Sequence, residues 1–249
     1  MSETSISKQS RRVILSGYFF YTGICFASWA SRIPDIKLAL GLTDAQFGGM
    51  LLFLPLGSFI GIPISGSLTS RYGSNIMLKI ASVLYPLALV NIGWAADTNV
   101  IHLGLALFIF GMIGNLFNVS VNTQAVELAK LFEKSIISTF HGFWSLAGFV
   151  GGLIGSYFIA QSLTPIMQFV VILVVGYVFL FATQQHLLHS ASNKQSLKKM
   201  WTKPTPLMFQ FGLIALSNMI CEGMMFDWSG VFFQSVVKVS ESQRTIGYI

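Results

Sequence analysis

Charged residues are scarce in this chain, since Asp, Glu, Lys and Arg make up 10% of its 249 residues and hydrophobic residues make up 53%. Soluble domains contain about 25% charged residues. With a mean hydropathy of +0.69 and 22 Phe, the apolar side chains exceed what one soluble core of this size can enclose. The composition excludes a soluble globular domain and predicts an integral membrane protein.

The chain also lacks the residue clusters of enzyme sites. Its two cysteines, Cys25 and Cys221, lie within apolar segments, so they indicate no disulfide framework or metal site, and we expect both to be small core residues. It has no nucleophile elbow, no phosphate-binding glycine loop before a lysine and no spaced metal ligands. We therefore predict no enzymatic activity, no metal and no cofactor.

Seven apolar segments are long enough to cross a bilayer, which takes about 20 residues each. They are continuously apolar rather than alternating, which indicates helices and excludes the strands of a membrane barrel. We therefore predict an all-α membrane protein. The predicted spans cover residues 13–31, 46–69, 76–96, 100–124, 138–161, 164–184 and 206–235, and an eighth is expected to begin at Thr245.

The net charge of +6 does not indicate a nucleic-acid partner, because the basic residues occupy short segments between apolar spans. Eleven of the 15 Lys and Arg fall on the side of the N-terminus and four on the other. The positive-inside rule then predicts a multi-pass protein with a cytoplasmic N-terminus. Its partners would include the lipid bilayer.

The spans are grouped unevenly along the chain. We divide it into a cytoplasmic tail (1–12), a six-helix bundle (13–184), a polar and basic cytoplasmic linker (185–205) and the start of a second bundle (206–249). Many transporters are built from two six-helix halves related by an axis along the membrane normal. Glycines three or four residues apart in spans 2 and 5 predict close-packing faces, at Gly57, Gly61, Gly148, Gly151, Gly152 and Gly155.

The segment between spans 2 and 3 carries a recognisable pattern. It resembles the loop signature of the major facilitator superfamily: Gly66, Arg71 and Gly73 match, whereas Ser70 stands where an acid is usual and a Ser-Asn pair replaces the basic pair. We expect Gly66 to let span 2 approach a neighbouring helix closely. Gly73 should adopt a positive φ, and Arg71 should bond helix C-terminal carbonyls. The resemblance implies a gating or structural role for all three.

Three further stretches, 40–48, 140–148 and 222–229, are similar to bacterial permeases near the fucose permeases and to uncharacterised inner-membrane members of the same superfamily. Thr43 or Asp44 would cap the helix of the first stretch. The resemblance implies a bacterial inner-membrane transporter of twelve helices, so we expect a chain truncated after helix 7. The antiporter motif is absent from span 5, which has no proline between His141 and Ala160, and this favours a symporter.

Polar residues inside the spans are the candidates for solute binding. Asn115, Asn118 and Asn122 share one face of span 4, which predicts either a cavity lining or hydrogen bonds between helices. His141 and Trp144 share a face of span 5. The imidazole is suited to binding a solute hydroxyl and the indole to stacking on a sugar ring, although a histidine near the boundary is also a common structural feature.

Span 7 carries Asn218, Glu222 and Asp227. Asn218 is four residues from Glu222 and would face the same solute. Glu222 lies well inside the span, where an ionised acid is costly, so it is the first candidate for carrying a proton. An ion pair with Arg32, at the outer end of span 1, is the structural alternative. Asp227 lies nearer the outer interface; it is also a candidate for proton coupling, and the alternative is that water simply solvates it there.

The sequence therefore predicts transport of a small solute, sugar-like or otherwise polar, by alternating access with proton coupling. The expected partners are the solute and the proton. The working unit would be completed either by missing C-terminal helices or by an unknown partner. Two alternatives stay open: a non-transporting fragment and a seven-helix receptor-like protein. The predicted cytoplasmic N-terminus and the lack of a lysine in span 7 for a retinal Schiff base oppose the receptor.

Overall fold

A computed structural model describes residues 6–189, 205–241 and 243. Residues 190–204 of the predicted linker and the expected eighth span at Thr245 lie outside these ranges. The described residues form helices and turns without a strand, which confirms the all-α prediction. The helices are α1 (Lys8–Ser31), α2 (Ile33–Ala39), α3 (Asp44–Leu51), α4 (Phe53–Tyr72), α5 (Ser74–Ala95), α6 (Val100–Ala129), α7 (Ile137–Ala160), α8 (Pro165–Thr183) and α9 (Pro206–Phe232).

Among the described residues, seven helices are long and apolar enough to cross a membrane. They are α1, α3 continued by α4, α5, α6, α7, α8 with the 3-10 turn Gln184–His186, and α9 with the π turn Phe233–Val237. Each coincides with a predicted span. The first helix begins at Lys8, earlier than residue 13, because Ser7 caps it: its Oγ accepts the backbone N–H of Ser10 at 3.1 Å.

The connection between the first two spans is more ordered than a plain loop. It contains α2, and α3 then begins with a capping box in which the Thr43 hydroxyl accepts the Gln46 N–H at 3.3 Å and the Gln46 side chain accepts the Thr43 N–H at 3.0 Å. Thr43, rather than Asp44, is therefore the N-cap. Gly41 makes the turn before it with φ of 62°.

Glycines set the closest helix contacts. A Cβ at Gly151 would lie 2.5 Å from the Cβ of Ala27, and one at Gly57 would meet the Phe108 carbonyl oxygen. These positions bring α7 onto α1 and α4 onto α6, as the small-residue spacing predicts. The predicted close approach at Gly66 is wrong, since a Cβ there would meet no described heavy atom within 4 Å. The α4–α6 contact is made by other residues of α4, among them Gly57, Gly61 and Thr69.

The turn between α4 and α5 depends on Gly73. Its φ is 90° and its ψ 147°, and its N–H bonds the Thr69 carbonyl oxygen at 2.9 Å. An L side chain rarely adopts this backbone conformation, so the predicted positive φ at Gly73 is confirmed. Arg71 is exposed, and its guanidinium carbon lies 5.3 Å from the centre of the Tyr72 ring.

The last described helix, α9, packs on the bundle near its C-terminal end only. Ser229, Gly230 and Val231 are buried there, whereas the first turns are exposed on every side. Cys25 is fully buried in α1, as predicted. The prediction of a buried Cys221 is wrong, because no described element covers that part of α9.

Candidate functional site: a central cavity

The described helices line a central, partly open cavity of about 640 Å³. Ligand pockets for small molecules have volumes of about 300–1,000 Å³. Six helices contribute to the walls: α1, α4, α5, α6, α7 and α9. The lining residues are Phe19, Thr22, Phe26, Leu54, Ser58, Tyr85, Phe110, Gly111, Gly114, Asn115, Asn118, Val121, His141, Trp144, Ser145, Met219, Glu222, Gly223 and Phe226.

Five residues singled out from the sequence meet at this cavity: Asn115, Asn118, His141, Trp144 and Glu222. They come from α6, α7 and α9, which are distant in sequence. Glu222 is the acid of the described lining, and it is exposed. The structure thus brings one acid, two amides, an imidazole and an indole around one volume.

Three other predicted residues are not part of the described lining: Asn122, Asn218 and Asp227. The Asn122 amide turns back along α6, donating to the Asn118 carbonyl oxygen at 2.9 Å and to the Asn118 side-chain oxygen. Asn218 is exposed on α9, one turn before Glu222, and Asp227 is partly buried near the end of the same helix.

Asn115 is placed by the contact between α4 and α6. Its Cβ lies 3.2 Å from where a Cβ at Gly61 would be, so a side chain at position 61 would crowd the contact between the two helices. The Asn115 side-chain oxygen is buried and accepts no hydrogen bond from the described residues. A buried acceptor without a donor is unfavourable by about 1–3 kcal/mol, so this oxygen is suited to accepting a hydrogen bond from a bound molecule.

Aromatic rings from three helices form one wall. The ring centres of Phe26 and Trp144 are 6.3 Å apart, those of Phe26 and Phe226 are 5.4 Å apart, and those of Trp144 and Phe226 are 6.1 Å apart. The two contacts with Phe226 are edge-to-face, a favourable arrangement for aromatic pairs. This cluster supplies an apolar surface beside the polar groups and joins α9 to α1 and α7.

A second aromatic pair also lines the cavity. Tyr85 of α5 and Phe110 of α6 stack with ring centres 4.5 Å apart. Gly114 makes room for the tyrosine, since a Cβ there would lie 2.9 Å from the Tyr85 ring. Nearby, the Ser58 hydroxyl donates to the Gly111 carbonyl oxygen at 3.0 Å, which ties α4 to α6.

His141 contributes to the lining of the cavity from α7. It is exposed, and its ring meets Phe19 edge-to-face with centres 5.5 Å apart, while Phe19 stacks on Phe140 at 5.3 Å. The histidine is thus positioned by an aromatic contact with α1. In the described part of the chain, no three His, Cys, Asp or Glu side chains group as metal ligands would.

Arg32 lies away from the cavity and is 2% exposed. Its guanidinium donates to the side chains of Gln168 at 2.6 Å and Asp35 at 2.7 Å, and to the Leu163 carbonyl oxygen at 2.9 Å. The alternative ion pair with Glu222 is not formed. Arg32 instead fastens the end of α1 to the start of α8.

The sequence analysis missed several lining residues. Tyr85 is an aromatic residue within an apolar helix, and Thr22, Ser58 and Ser145 are small hydroxyl residues of a kind that often bonds its own helix. Burying any of these side chains in a membrane has a low free-energy cost, so the sequence alone gives no reason to single them out. One weak signal was present, since Gly114 stands one residue before Asn115 and marks a place on α6 where a neighbour comes close.

The fold and the cavity define a multi-pass α-helical membrane protein with a solute-sized chamber between its helices. The curated relatives of the chain include the Uncharacterized transporter y4wD of Sinorhizobium fredii, 32% identical over 93% of this chain, and an Uncharacterized MFS-type transporter of Yersinia pestis, 29% identical over 92%. Membrane protein MosC of Rhizobium meliloti is 27% identical over 93%. These similarities make the chain a relative of MFS-type transporters, that is, transporters of the major facilitator superfamily.

The chain spans 61%, 59% and 56% of the lengths of these three relatives, in the same order. No family model matches the chain.

Proposed function

We propose that this chain forms part of a proton-coupled transporter that carries a small polar organic solute by alternating access. The observation that carries the proposal is the cavity of about 640 Å³, which combines hydrogen-bonding groups and aromatic rings in a chain related to transporters. Transporters of two-bundle architecture bind the solute near the middle of the membrane, between the bundles. Helices of a second bundle, on this polypeptide or on a partner, would complete the chamber.

The lining favours an uncharged solute with several hydroxyl groups, such as a sugar-like molecule. The Asn115 and Asn118 amides offer both donors and acceptors, and Ser58 and Thr22 add hydroxyls. Trp144 supplies a ring face beside them. Polar groups that fix orientation, together with a mainly apolar wall, are typical of small-molecule sites.

Glu222 is proposed as the proton carrier, with His141 and Asp227 as secondary candidates. An ionised acid inside a membrane is unfavourable unless it has a partner or water around it. Glu222 reaches the cavity and has no described ion-pair partner within 4 Å. A proton carried on Glu222 would lie beside a solute bound in the cavity, which is the proposed link between the two.

The proposed membrane is the bacterial inner membrane, with the N-terminus in the cytoplasm. The loop of Arg71 and Gly73 then lies on the cytoplasmic side. We propose that this loop limits how α4 and α5 move when the cytoplasmic end opens, since Gly73 fixes the turn and Arg71 lies over the Tyr72 ring.

A solute screen tests the binding part of the proposal. The melting midpoint of the purified chain is measured in the presence of each member of a panel of sugars, polyols and other small polar solutes. We expect one class to raise the melting midpoint, and we expect the Asn115→Ala variant to lose that rise. Gln161→Ala, an exposed position at the end of α7, serves as the control and should keep it. A rise that persists in Asn115→Ala would contradict binding in this cavity.

Uptake measurements test the coupling. Cells that carry the gene are given the labelled solute with and without an imposed proton gradient. We expect the gradient to stimulate uptake by the unaltered protein and not by Glu222→Gln. Glu133→Gln, an exposed acid in the turn between α6 and α7, is the matched control. Gradient-dependent uptake by Glu222→Gln would remove Glu222 as the carrier.

A further inference from the structure

A second cavity, of about 620 Å³, lies on another side of the bundle, between α1, α7 and α8. It shares no lining residue with the central cavity. We call it the lateral groove. Its lining residues are Gln9, Arg12, Val13, Ser16, Gly17, Phe20, Thr139, Phe143 and Phe179.

The lateral groove is apolar along most of its length and opens outward. Val13 is 71% exposed and Phe143 is 39% exposed, so the groove opens at the outer surface of the bundle. Gly17 forms its floor, where a Cβ would lie 2.6 Å from the Phe179 ring. In a membrane protein this outer surface contacts acyl chains. A molecule that binds in the groove is therefore expected to be largely apolar and to enter from the lipid rather than from the water.

One end of the groove is polar and cationic. Arg12 lies there, and its guanidinium donates to the Thr139 hydroxyl at 3.0 Å, its one hydrogen bond to the described residues. Its neighbours are engaged elsewhere: Arg11 donates to the His186 carbonyl oxygen at 3.1 Å, and Lys8 lies over the Phe132 ring at 5.3 Å. Among the described lining there is no acid, so the positive charge of Arg12 is not neutralised inside the groove.

We propose that the lateral groove binds an anionic glycerophospholipid from the leaflet that surrounds the start of α1. The phosphate lies at the Arg12 guanidinium, and one acyl chain lies along Val13, Gly17 and Phe143. Guanidinium groups form strong charge-assisted hydrogen bonds with phosphate oxygens. Basic pockets between membrane helices on the cytoplasmic side are suited to acidic lipid headgroups. This site is independent of the solute cavity and of the proposed transport.

The test uses native mass spectrometry of the full chain in detergent, titrated with dioleoyl phosphatidylglycerol or dioleoyl phosphatidylcholine. We expect tighter binding of the anionic lipid. Arg12→Gln should weaken that binding about tenfold or more, because it removes a hydrogen bond from a charged group to the phosphate. Arg11→Gln removes the same charge one residue away, where the guanidinium bonds the His186 carbonyl oxygen. It should weaken the binding by about fivefold at most, the general effect of one basic residue near an acidic lipid surface.

A second variant blocks the groove itself. Val13→Trp adds a ring at a position that is 71% exposed, so it should fill the groove without disturbing the helix packing. We expect it to abolish the high-affinity binding of phosphatidylglycerol. Equal losses in the Arg12 and Arg11 variants, equal binding of the two lipids, or unaltered binding by Val13→Trp would each overturn the proposal. If Arg12→Gln does not fold, the binding of phosphatidylglycerol by Val13→Trp is sufficient to test the proposal.

Discussion

Arg32 and Gln168 lie 136 residues apart in the sequence, yet the Arg32 Nε donates to the Gln168 side-chain oxygen across 2.6 Å. Both side chains are buried, with exposed fractions of 2% and 0%. A buried cation is tolerated only when hydrogen-bonding partners and an opposite charge surround it, and here Asp35 supplies that charge at 2.7 Å. This contact holds the end of the first span against the start of the sixth.

Replacing Gln168 with Ala should destabilise the bundle. The change removes the acceptor for the Arg32 Nε and leaves part of a buried guanidinium unpaired. Hydrogen bonds to charged groups contribute about 1.5–3 kcal/mol each, so we expect a clear fall in the melting midpoint of the purified protein. Gln161→Ala, exposed at the end of α7, is the control. Equal midpoints for the two variants would show that the Arg32 network contributes little.

Two glycines of α7 should respond oppositely to alanine. A Cβ at Gly151 would lie 2.5 Å from the Ala27 Cβ, so Gly151→Ala forces α7 away from α1. A Cβ at Gly142 would meet no described heavy atom within 4 Å, so Gly142→Ala should only gain helix propensity, about 0.5–1 kcal/mol. We expect a lower melting midpoint for the first variant and an equal or higher one for the second. A loss of stability in Gly142→Ala that matches that of Gly151→Ala would contradict the packing argument.

Gln124 should be needed to hold the chain that follows α8. It is 1% exposed, its amide donates to the Ser74 hydroxyl at 2.7 Å and to the Leu188 carbonyl oxygen at 2.8 Å, and its oxygen accepts the Leu188 N–H at 2.9 Å. Gln124→Ala removes all three of these hydrogen bonds, each of which contributes about 0.5–1.5 kcal/mol to stability.

We therefore expect Gln124→Ala to lower the melting midpoint. We also expect faster trypsin cleavage at the lysines that follow Leu188 in the sequence. Gln185→Ala, exposed just after α8, provides the matched control. Unchanged trypsin kinetics in Gln124→Ala would mean that this side chain does not hold the segment in place.

The orientation of the bundle is testable at the two ends of α6. With Cys25 and Cys221 replaced by Ser, single cysteines are introduced at Asp97, before α6, and at Ser135, after it; both positions are exposed. The positive-inside rule predicts that Asp97 is outside and Ser135 is in the cytoplasm. A membrane-impermeant maleimide should label Asp97→Cys in intact cells and Ser135→Cys only after permeabilisation. The reverse pattern would invert the topology.

The helices were predictable because hydropathy acts on single segments. A run of about 20 apolar residues has one stable state in a bilayer, so all seven spans were found from the sequence. The boundaries were less predictable. α1 begins at Lys8, before the apolar run, because a Ser7 cap extends it. The prediction for Gly66 failed because a glycine shows where a close approach is possible but does not reveal whether a neighbour is there.

The candidate site was partly predictable. Asn115, Asn118 and Glu222 stood out because polar groups are unfavourable in lipid and need a cavity or a partner. The same logic did not separate them from Asn122, whose amide folds back onto its own helix and needs no cavity. Tyr85 and Phe26 line the chamber without a polar signal, since aromatic rings face a cavity, a core or lipid equally well.

By itself, the sequence determined that the chain is helical, spans a membrane and resembles the major facilitator transporters, because these follow from local hydropathy and a short loop pattern. Only the tertiary structure decided which polar residues share a chamber, that Arg32 pairs with Asp35 and Gln168 rather than with Glu222, and that a separate groove ends at Arg12. The reason is physical. These features depend on which faces of distant helices meet, and glycine contacts such as that of Gly151 with Ala27 set those faces.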